Sequence, residues 1–553
     1  MCGIWSLVNL KKKQLDIVKL FQDFYNLKHR GPDNSFFETY GNVLIGFHRL
    51  AIMNDTFTSN QPFIYEDELR TIIFMCNGEI YNYKELAEWY NLDIKNDCMI
   101  IPEIYHSLCK SGNESDFNRV IREEVKGEFS FLLFEFDRLK SLKRIIAARD
   151  EIGIRPLYYY PGYDMLFFTS ELKGGLSFEE ELREFPPGTI ITYDTNELGY
   201  MTTDIDNFSR VYYTISHSID LLKNLHDVRG AVMNSIRRRL NADKPFAFLL
   251  SGGVDSSLVA AISAKILGKP IRTFCCGMTE GTDLKYARMV AKHIGSNHTE
   301  VMFTEQEGLA AIEDVIKTVE SWDTTTIRAS VGQYLVSKYI STTDCKVVMV
   351  GEGPDEVCSS YLFNWYAPDG NALDVEARYY VKNIHYYDVK RADRCISRWG
   401  LEGRVPLLDP EFIEAYWKIL PEMRMPTYKN MEKWWLREAF NGTGLLPDDV
   451  LWRKKEAFSD GVSGERSWYK IIQDWVETKV TDEEFADALQ KYPYCTPKTK
   501  EAYYYRKVFC GIFGESRQRI IPGYWQPKWS ADGEVKEYID PSARVLDVYI
   551  NNV

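Results

Sequence analysis

Hydrophobic residues in the first 200 positions fall in short, β-rich runs separated by turn residues. Ile4–Val8, Val43–Ile52, Ile72–Cys76, Glu128–Phe136 and Arg144–Ala148 are such runs, bounded by pairs such as Gly41-Asn42 and Asn77-Gly78. Each predicts a strand. Only Gln14–Tyr25 and the stretch around Pro102–Lys110 carry a helical pattern. The expected domain is strand-dominated and closes near Pro186-Pro187-Gly188, with the polar stretch Asp204–Ser209 as a linker.

Beyond Val228 the pattern changes. Val228, Val232, Ile236 and Leu240 recur every four residues and predict one helix stripe. A strand (Phe246–Leu250), a glycine turn and a helix (Leu258–Leu267) follow. A strand (Ile271–Cys276), a helix bearing Leu284, Ala287, Ala291 and Ile294 on one side, and a strand (Glu300–Phe303) come next. A further helix then leads to the strand Lys346–Val350. Strand–helix alternation of this kind predicts a parallel sheet covered on both faces, with ligands outside the carboxyl ends of its strands.

Composition narrows the class. The chain has 553 residues, 45% hydrophobic and 27% charged, which suits a multi-domain globular protein. Its formal charge of −13 argues against nucleic acid or an anionic membrane as partner, because neutralising phosphate needs a cationic surface. Lys11-Lys12-Lys13 and Arg237-Arg238-Arg239 are too short to reverse this. The eleven cysteines form no C-x-x-C pair, so neither a zinc site nor a disulfide framework is expected. No run of about 18 apolar residues predicts a membrane span, and the N-terminus lacks a signal-peptide pattern. The expectation is a cytoplasmic protein with reduced thiols.

Three segments carry candidate chemistry. Leu249-Leu250-Ser251-Gly252-Gly253-Val254-Asp255-Ser256-Ser257 lies between a strand and a helix. Its glycines allow a tight turn, and the following N–H groups and serine hydroxyls suit phosphate; Asp255 is placed to hold Mg²⁺. Gly351-Glu352-Gly353-Pro354-Asp355-Glu356 follows another strand, and its carboxylates suit metal binding or acid–base work. Each segment also reads as a well-capped strand-to-helix turn. The third is Cys2: removal of Met1 would give it a free α-amine able to act as the base for its own thiol. Asn77 and Gly78 suit an oxyanion hole, although Asn-Gly is also a common hairpin turn. Arg49 could pair with a substrate carboxylate, and Glu79 and Asp97 with an ammonium group.

Taken in order, these residues resemble the glutamine-hydrolysing asparagine synthetases. The motifs are MCGIW, His29-Arg30-Gly31-Pro32-Asp33, Gly46–Ile52, CNGEIYN (76–82), RDEIGIRPLYY (149–159), LLSGGVDSS, Thr325–Gly332, GEG-DE, RVPLLD (404–409) and WRKKEAFSDGV (452–462). The tail motifs PKTKEAYYYRKVF and PKW…DPSAR resemble the eukaryotic type. The resemblance implies an N-terminal nucleophile hydrolase domain of αββα layers over 2–203. A doubly wound, ATP-pyrophosphatase-like synthetase domain would span 210–540.

The family's chemistry, carried over by motif, gives Cys2 the attack on the glutamine amide, with Asn77 and Gly78 holding the oxyanion. Arg49, Leu50, Ala51, Ile52, Met53, Glu79 and Asp97 would bind glutamine. Ammonia would cross inside the protein to a site where ATP activates aspartate as a β-aspartyl-adenylate, giving asparagine, AMP, pyrophosphate and glutamate. There Ser251, Gly252, Gly253, Asp255 and Ser256 would cradle phosphate, with Mg²⁺ on Asp255. Leu249, Leu250, Cys276, Val350 and Gly351 would surround the nucleotide, and Glu352 would assist the ammonia attack. Thr325, Arg328, Asp355 and Lys455 would contact aspartyl and phosphate groups. The substrates implied are glutamine, aspartate and ATP, and the family admits a homodimer.

The chain departs from the family at Val350, Pro354, Ser359-Ser360, Trp365-Tyr366 and Met99. Val350 and Pro354 stand where serine is usual, so a hydroxyl and an N–H are lost. Two alternatives therefore stay open at this level: a glutaminase-coupled amide synthetase for another carboxylic acid, and a catalytically weakened regulatory relative.

Overall fold

The computed structural model describes residues 1–178, 180–195, 201–209, 216–279, 281–454, 463 and 466–537. The chain divides into two compact units. One comprises Met1–Arg210 with Asn241–Lys244 and Ser397–Glu402; the other comprises Val211–Leu240, Pro245–Ile396 and Gly403–Val553. Lys455 lies outside the described residues, as do 538–553 with the DPSAR motif.

The first unit holds two six-stranded sheets. In chain order its elements are β1 (Gly3–Asn9), α1 (Ile17–Tyr25), β2 (Asn34–Tyr40), β3 (Val43–Arg49), β4 (Phe63–Glu66), β5 (Arg70–Ile80), α2 (Tyr83–Tyr90), α3 (Ile100–Ser111) and α4 (Phe117–Glu123). They continue with β6 (Gly127–Asp137), β7 (Leu142–Arg149), β8 (Tyr158–Pro161), β9 (Met165–Thr169), β10 (Arg183–Glu184), β11 (Thr189–Thr195) and β12 (Met201–Asn207). The sheet orders are β10-β8-β9-β1-β3-β2 and β12-β11-β7-β6-β5-β4.

Strands β1 and β5 face each other between the sheets. β1 is buried along its whole length, because both of its faces are covered. On the outer side of the first sheet, Phe24 of α1 packs edge-on to Trp5. A Cβ at Gly46 of β3 would meet the Phe24 ring at 2.7 Å, so that helix sits on glycine. On the outer side of the second sheet, α3 packs on β5, and Tyr105 donates to Glu135 of β6 at 2.7 Å. The layers are therefore α, β, β and α, as expected.

Three local expectations are corrected. Asn77-Gly78 is no turn: it lies inside β5, paired with Ser130 and Phe129 of β6. A Cβ at Gly78 would lie 2.2 Å from the Glu128 carbonyl oxygen, so the glycine answers a close strand approach. The polar stretch read as a linker falls largely in β12, an edge strand paired with β11 and mostly exposed. Its polarity reflects two wet faces. Two helices, α2 and α4, were hidden by their brevity.

The second unit begins with α5 (Leu221–Arg239), whose Val228, Val232 and Ile236 are wholly buried. Then come β13 (Phe246–Leu249), α6 (Val254–Leu267), β14 (Arg272–Gly277), α7 (Thr282–Ile294), β15 (Asn297–Met302), α8 (Glu305–Val319), α9 (Thr324–Ile340) and β16 (Val347–Met349). Within a five-stranded sheet these strands run in the order β15-β14-β13-β16, all parallel. The order reverses direction at β13, the strand that feeds the Ser251 loop. Among the described residues no helix is long and apolar enough to cross a membrane.

Candidate active sites

The first site forms where β5 meets the start of β1. Side chains alternate along a strand, so Asn77 projects from β5 to the neighbouring sheet and reaches Cys2. The Cys2 N–H donates to Asn77 Oδ1 at 2.9 Å. The other end of that amide, Nδ2, is buried without a hydrogen-bond partner. A buried orphan donor beside a nucleophile is the arrangement an oxyanion requires. Leu50 N–H points at Cys2 Sγ from 3.4 Å, a second donor at the sulfur.

Burial pushes the Cys2 thiol up to about 11, so it needs a base to react near neutral pH. Met1 fills the space beside it and is 1% exposed, with its N-terminus 3.8 Å from Glu402. Removing Met1 would replace the Cys2 amide by an amine at the position where the N–H now meets Asn77. Arg30 fixes the other side of the residue: its Nε donates to the Cys2 carbonyl at 2.8 Å, and Nη1 pairs with Glu171 at 2.5 Å. This brace was not assigned a role from sequence, although it stands in the His29–Asp33 motif.

The expected glutamine-binding residues serve in different capacities. Arg49 is 4% exposed and donates to the carbonyls of Met53, Asn54 and Thr56 and to Asn60 Oδ1. It braces the loop that follows Leu50. Ala51 N–H is held by Asp33 at 2.8 Å, Asn96 donates to the Met53 carbonyl at 3.1 Å, and Ile52 is 2% exposed. Asp97 accepts the Ile80 N–H at 2.8 Å, which ties its turn to the end of β5. Glu79 is buried on β5, two residues beyond Asn77 and therefore on the same face.

The second site is a cavity at the carboxyl ends of β13, β14 and β16. Leu249, Leu250, Ser251, Gly253, Asp255, Ser256, Cys276, Val350, Gly351, Glu352 and Asp355 all line it. Gly252 turns the loop with φ +75°, and a Cβ there would meet Tyr286 at 2.4 Å. A Cβ on Gly351 would lie 2.7 Å from the Ser256 nitrogen, so the two glycine-rich loops touch through backbone. Ser251 Oγ and Ser256 Oγ share a hydrogen bond at 3.0 Å beside the start of α6, whose free N–H groups favour anions.

The residue that joins the two loops is Lys433, which carries no motif. Its buried ammonium pairs with Asp255 and, at 2.6 Å, with Asp355. Burial works against the charge, but the two carboxylates outweigh it and raise the Lys433 pKa. Ser360 donates to the same Asp355 oxygen at 2.5 Å. Pro354 sits at the first position of the short helix Pro354–Val357, where a missing N–H costs nothing.

Arg391 is the second unforeseen cation. It donates to Glu352 at 3.1 Å, pairs with Asp388, and reaches Gln333 Oε1 at 3.3 Å. Burial nevertheless pushes Glu352 up, which favours its taking a proton. Arg453 and Lys454 add positive charge to the lining.

Two expected contacts lie elsewhere. Arg328 is clamped bidentately by buried Glu501, at 2.8 Å and 2.5 Å. Thr325 stands in the first turn of α9 with its hydroxyl buried and unpartnered. Neither lines the cavity.

Residues 1–199 match the glutamine amidotransferase domain family, and residues 227–373 and 367–535 match the asparagine synthase family. The chain is 37% identical to the glutamine-hydrolysing asparagine synthetase of Homo sapiens over 99% of both chains. The corresponding values are 36% for the Gallus gallus enzyme and 37% for that of Mus musculus, again over 99% of each chain.

Proposed function

The chain belongs to the glutamine-hydrolysing asparagine synthetase family, and from that premise we propose how its residues divide the work. The enzyme takes the amide nitrogen of glutamine and joins it to aspartate at the cost of ATP. Cys2, freed of Met1, attacks the glutamine amide carbon while its own α-amine takes the thiol proton. Asn77 Nδ2 and the Gly78 N–H receive the developing oxyanion. Ammonia leaves, and water releases glutamate from the thioester. Glu79 and Asp97 take the ammonium end of glutamine.

In the second cavity the Ser251–Ser256 loop holds phosphate at the N-terminus of α6. The aspartate β-carboxylate attacks the α-phosphate of ATP, pyrophosphate departs, and the acyl-adenylate carries a leaving group that a bare carboxylate lacks. Ammonia then displaces AMP, and Glu352 takes a proton from the attacking nitrogen. Asp255 and Asp355 both line this cavity and each turns one oxygen to Lys433, so Mg²⁺ would be held by their other carboxylate oxygens, the hard ligands it prefers. When bound, it screens the charge of the phosphates. Lys455 is assigned by motif to the same phosphate and aspartyl groups. All eleven cysteines are unbridged, which supports a reducing, cytoplasmic setting.

The observation that carries this reading is the orphaned Nδ2 of Asn77 beside Cys2. The test supplies glutamine, aspartate, ATP and Mg²⁺ and quantifies asparagine, glutamate, AMP and pyrophosphate together. Equal asparagine and AMP is the expected result. Glutamate without asparagine would mean a live glutaminase beside a second site that is altered, idle or specific for a different acid.

A further inference from the structure

Gln333 is a polar group of the second cavity that neither the motifs nor the mechanism above uses. It projects from α9, is 2% exposed, and lines the cavity. Its amide has a defined orientation, because Arg391 can only donate and meets Oε1 at 3.3 Å. The nitrogen end therefore carries the two N–H groups away from the guanidinium, and Nε2 is buried with no hydrogen-bond partner. Native structures keep few such orphans, and one at the wall of a ligand cavity marks where an acceptor atom belongs.

The same guanidinium places that donor next to the chemistry. Arg391 holds Gln333 through Nη1 and Glu352 through Nη2, at 3.3 Å and 3.1 Å. The donor and the proton acceptor are thus two arms of one bracket. The reacting acyl carbon must lie within reach of Glu352, and negative charge develops on the acyl oxygen during attack. Lys455 is assigned by motif to the aspartyl and phosphate groups, and among the described residues no donor has been assigned to that oxygen.

Resting on the reading of Glu352 given above, we propose that Gln333 is a catalytic residue whose Nε2 donates to the acyl oxygen of the activated aspartyl group while ammonia attacks. The nitrogen lone pair forms the C–N bond as the carbonyl electron pair moves to oxygen, where Nε2 meets it. Glu352 takes one proton from the nitrogen. Collapse re-forms C=O and breaks the acyl carbon–oxygen bond, and AMP leaves with that pair. Adenylation, in which the acyl oxygen gains no charge, makes little use of the donor.

Gln333→Met keeps the length of the side chain and removes the donor. The two half-reactions are read separately: aspartate-dependent exchange of labelled pyrophosphate into ATP, and asparagine formation from ammonium chloride. The variant is expected to retain exchange and to lose about 10²–10³-fold in kcat for amide formation, the usual cost of one oxyanion donor. Undiminished amide formation would overturn the proposal, and so would an equal loss in both half-reactions, which marks a structural role. If Gln333→Met does not fold, Gln333→Leu is put to the same two measurements. A wild-type enzyme without aspartate-dependent exchange would instead refute the acceptor assignment on which the proposal stands.

Discussion

Asn77 accepts the Cys2 N–H through Oδ1 at 2.9 Å, and that bond decides where its unpartnered Nδ2 points. One amide thus orients the nucleophile and presents the oxyanion donor. Asn77→Ala is expected to lower kcat for glutamine hydrolysis about 10²–10³-fold. Synthesis from added ammonia should stay at the wild-type rate, and parallel assays with the two nitrogen sources check this.

Cys2→Ala removes the only group assigned to attack glutamine. The variant should release no glutamate yet make asparagine from ammonium chloride. Loss of both activities in a folded variant would break the division of labour between the two units.

Lys433 sits between two carboxylates and is itself buried, so removing it takes away the cation that Asp255 and Asp355 share. Lys433→Met should cost about 3 kcal/mol of stability, at the lower end for breaking a buried ion pair because both carboxylates keep some contact with water. The shift of the urea midpoint measures it. Added Mg²⁺ should restore part of the loss, because a cation would again occupy the gap between the carboxylates.

His48 gives the first unit a pH dependence of known sign. Its ring stacks on Phe24 at 3.9 Å between centroids, Nε2 donates to the Phe24 carbonyl, and Nδ1 accepts from Ser35. Burial pushes its pKa down to about 4, against an unfolded value near 6.5. Above 6.5 both states are neutral and nothing is lost. As pH falls from 6.5 to about 4 the unfolded chain takes up a proton that the folded ring refuses, so stability declines by up to ~3 kcal/mol. His48→Gln should flatten that part of the stability–pH curve, as denaturant midpoints at pH 7, 5.5 and 4.5 would show.

The sequence made the short β-rich runs of the first unit and the strand–helix alternation of the second legible, because those patterns record which segments are buried. Asn77-Gly78 misled as a turn: a dipeptide does not reveal that Gly78 is needed by a neighbouring backbone 2.2 Å from its missing Cβ. Cys2, Asp255 and Glu352 announced themselves through motifs. Lys433 and Arg391 did not, since each acts through partners distant in the chain, 178 residues away for Asp255 and 39 for Glu352. Arg328 shows the converse. Its motif suggested a substrate contact, while Glu501, 173 residues downstream, takes its guanidinium.

The pairing of Asn77 with Ser130 and of Gly78 with Phe129 has a further consequence. A slip of one residue between β5 and β6 would turn Asn77 to the far face and carry a side chain into the gap kept open by glycine. Glutamine hydrolysis is therefore an assay of strand register: a misaligned molecule could keep its compactness and its secondary structure, and be betrayed only by its silence toward glutamine.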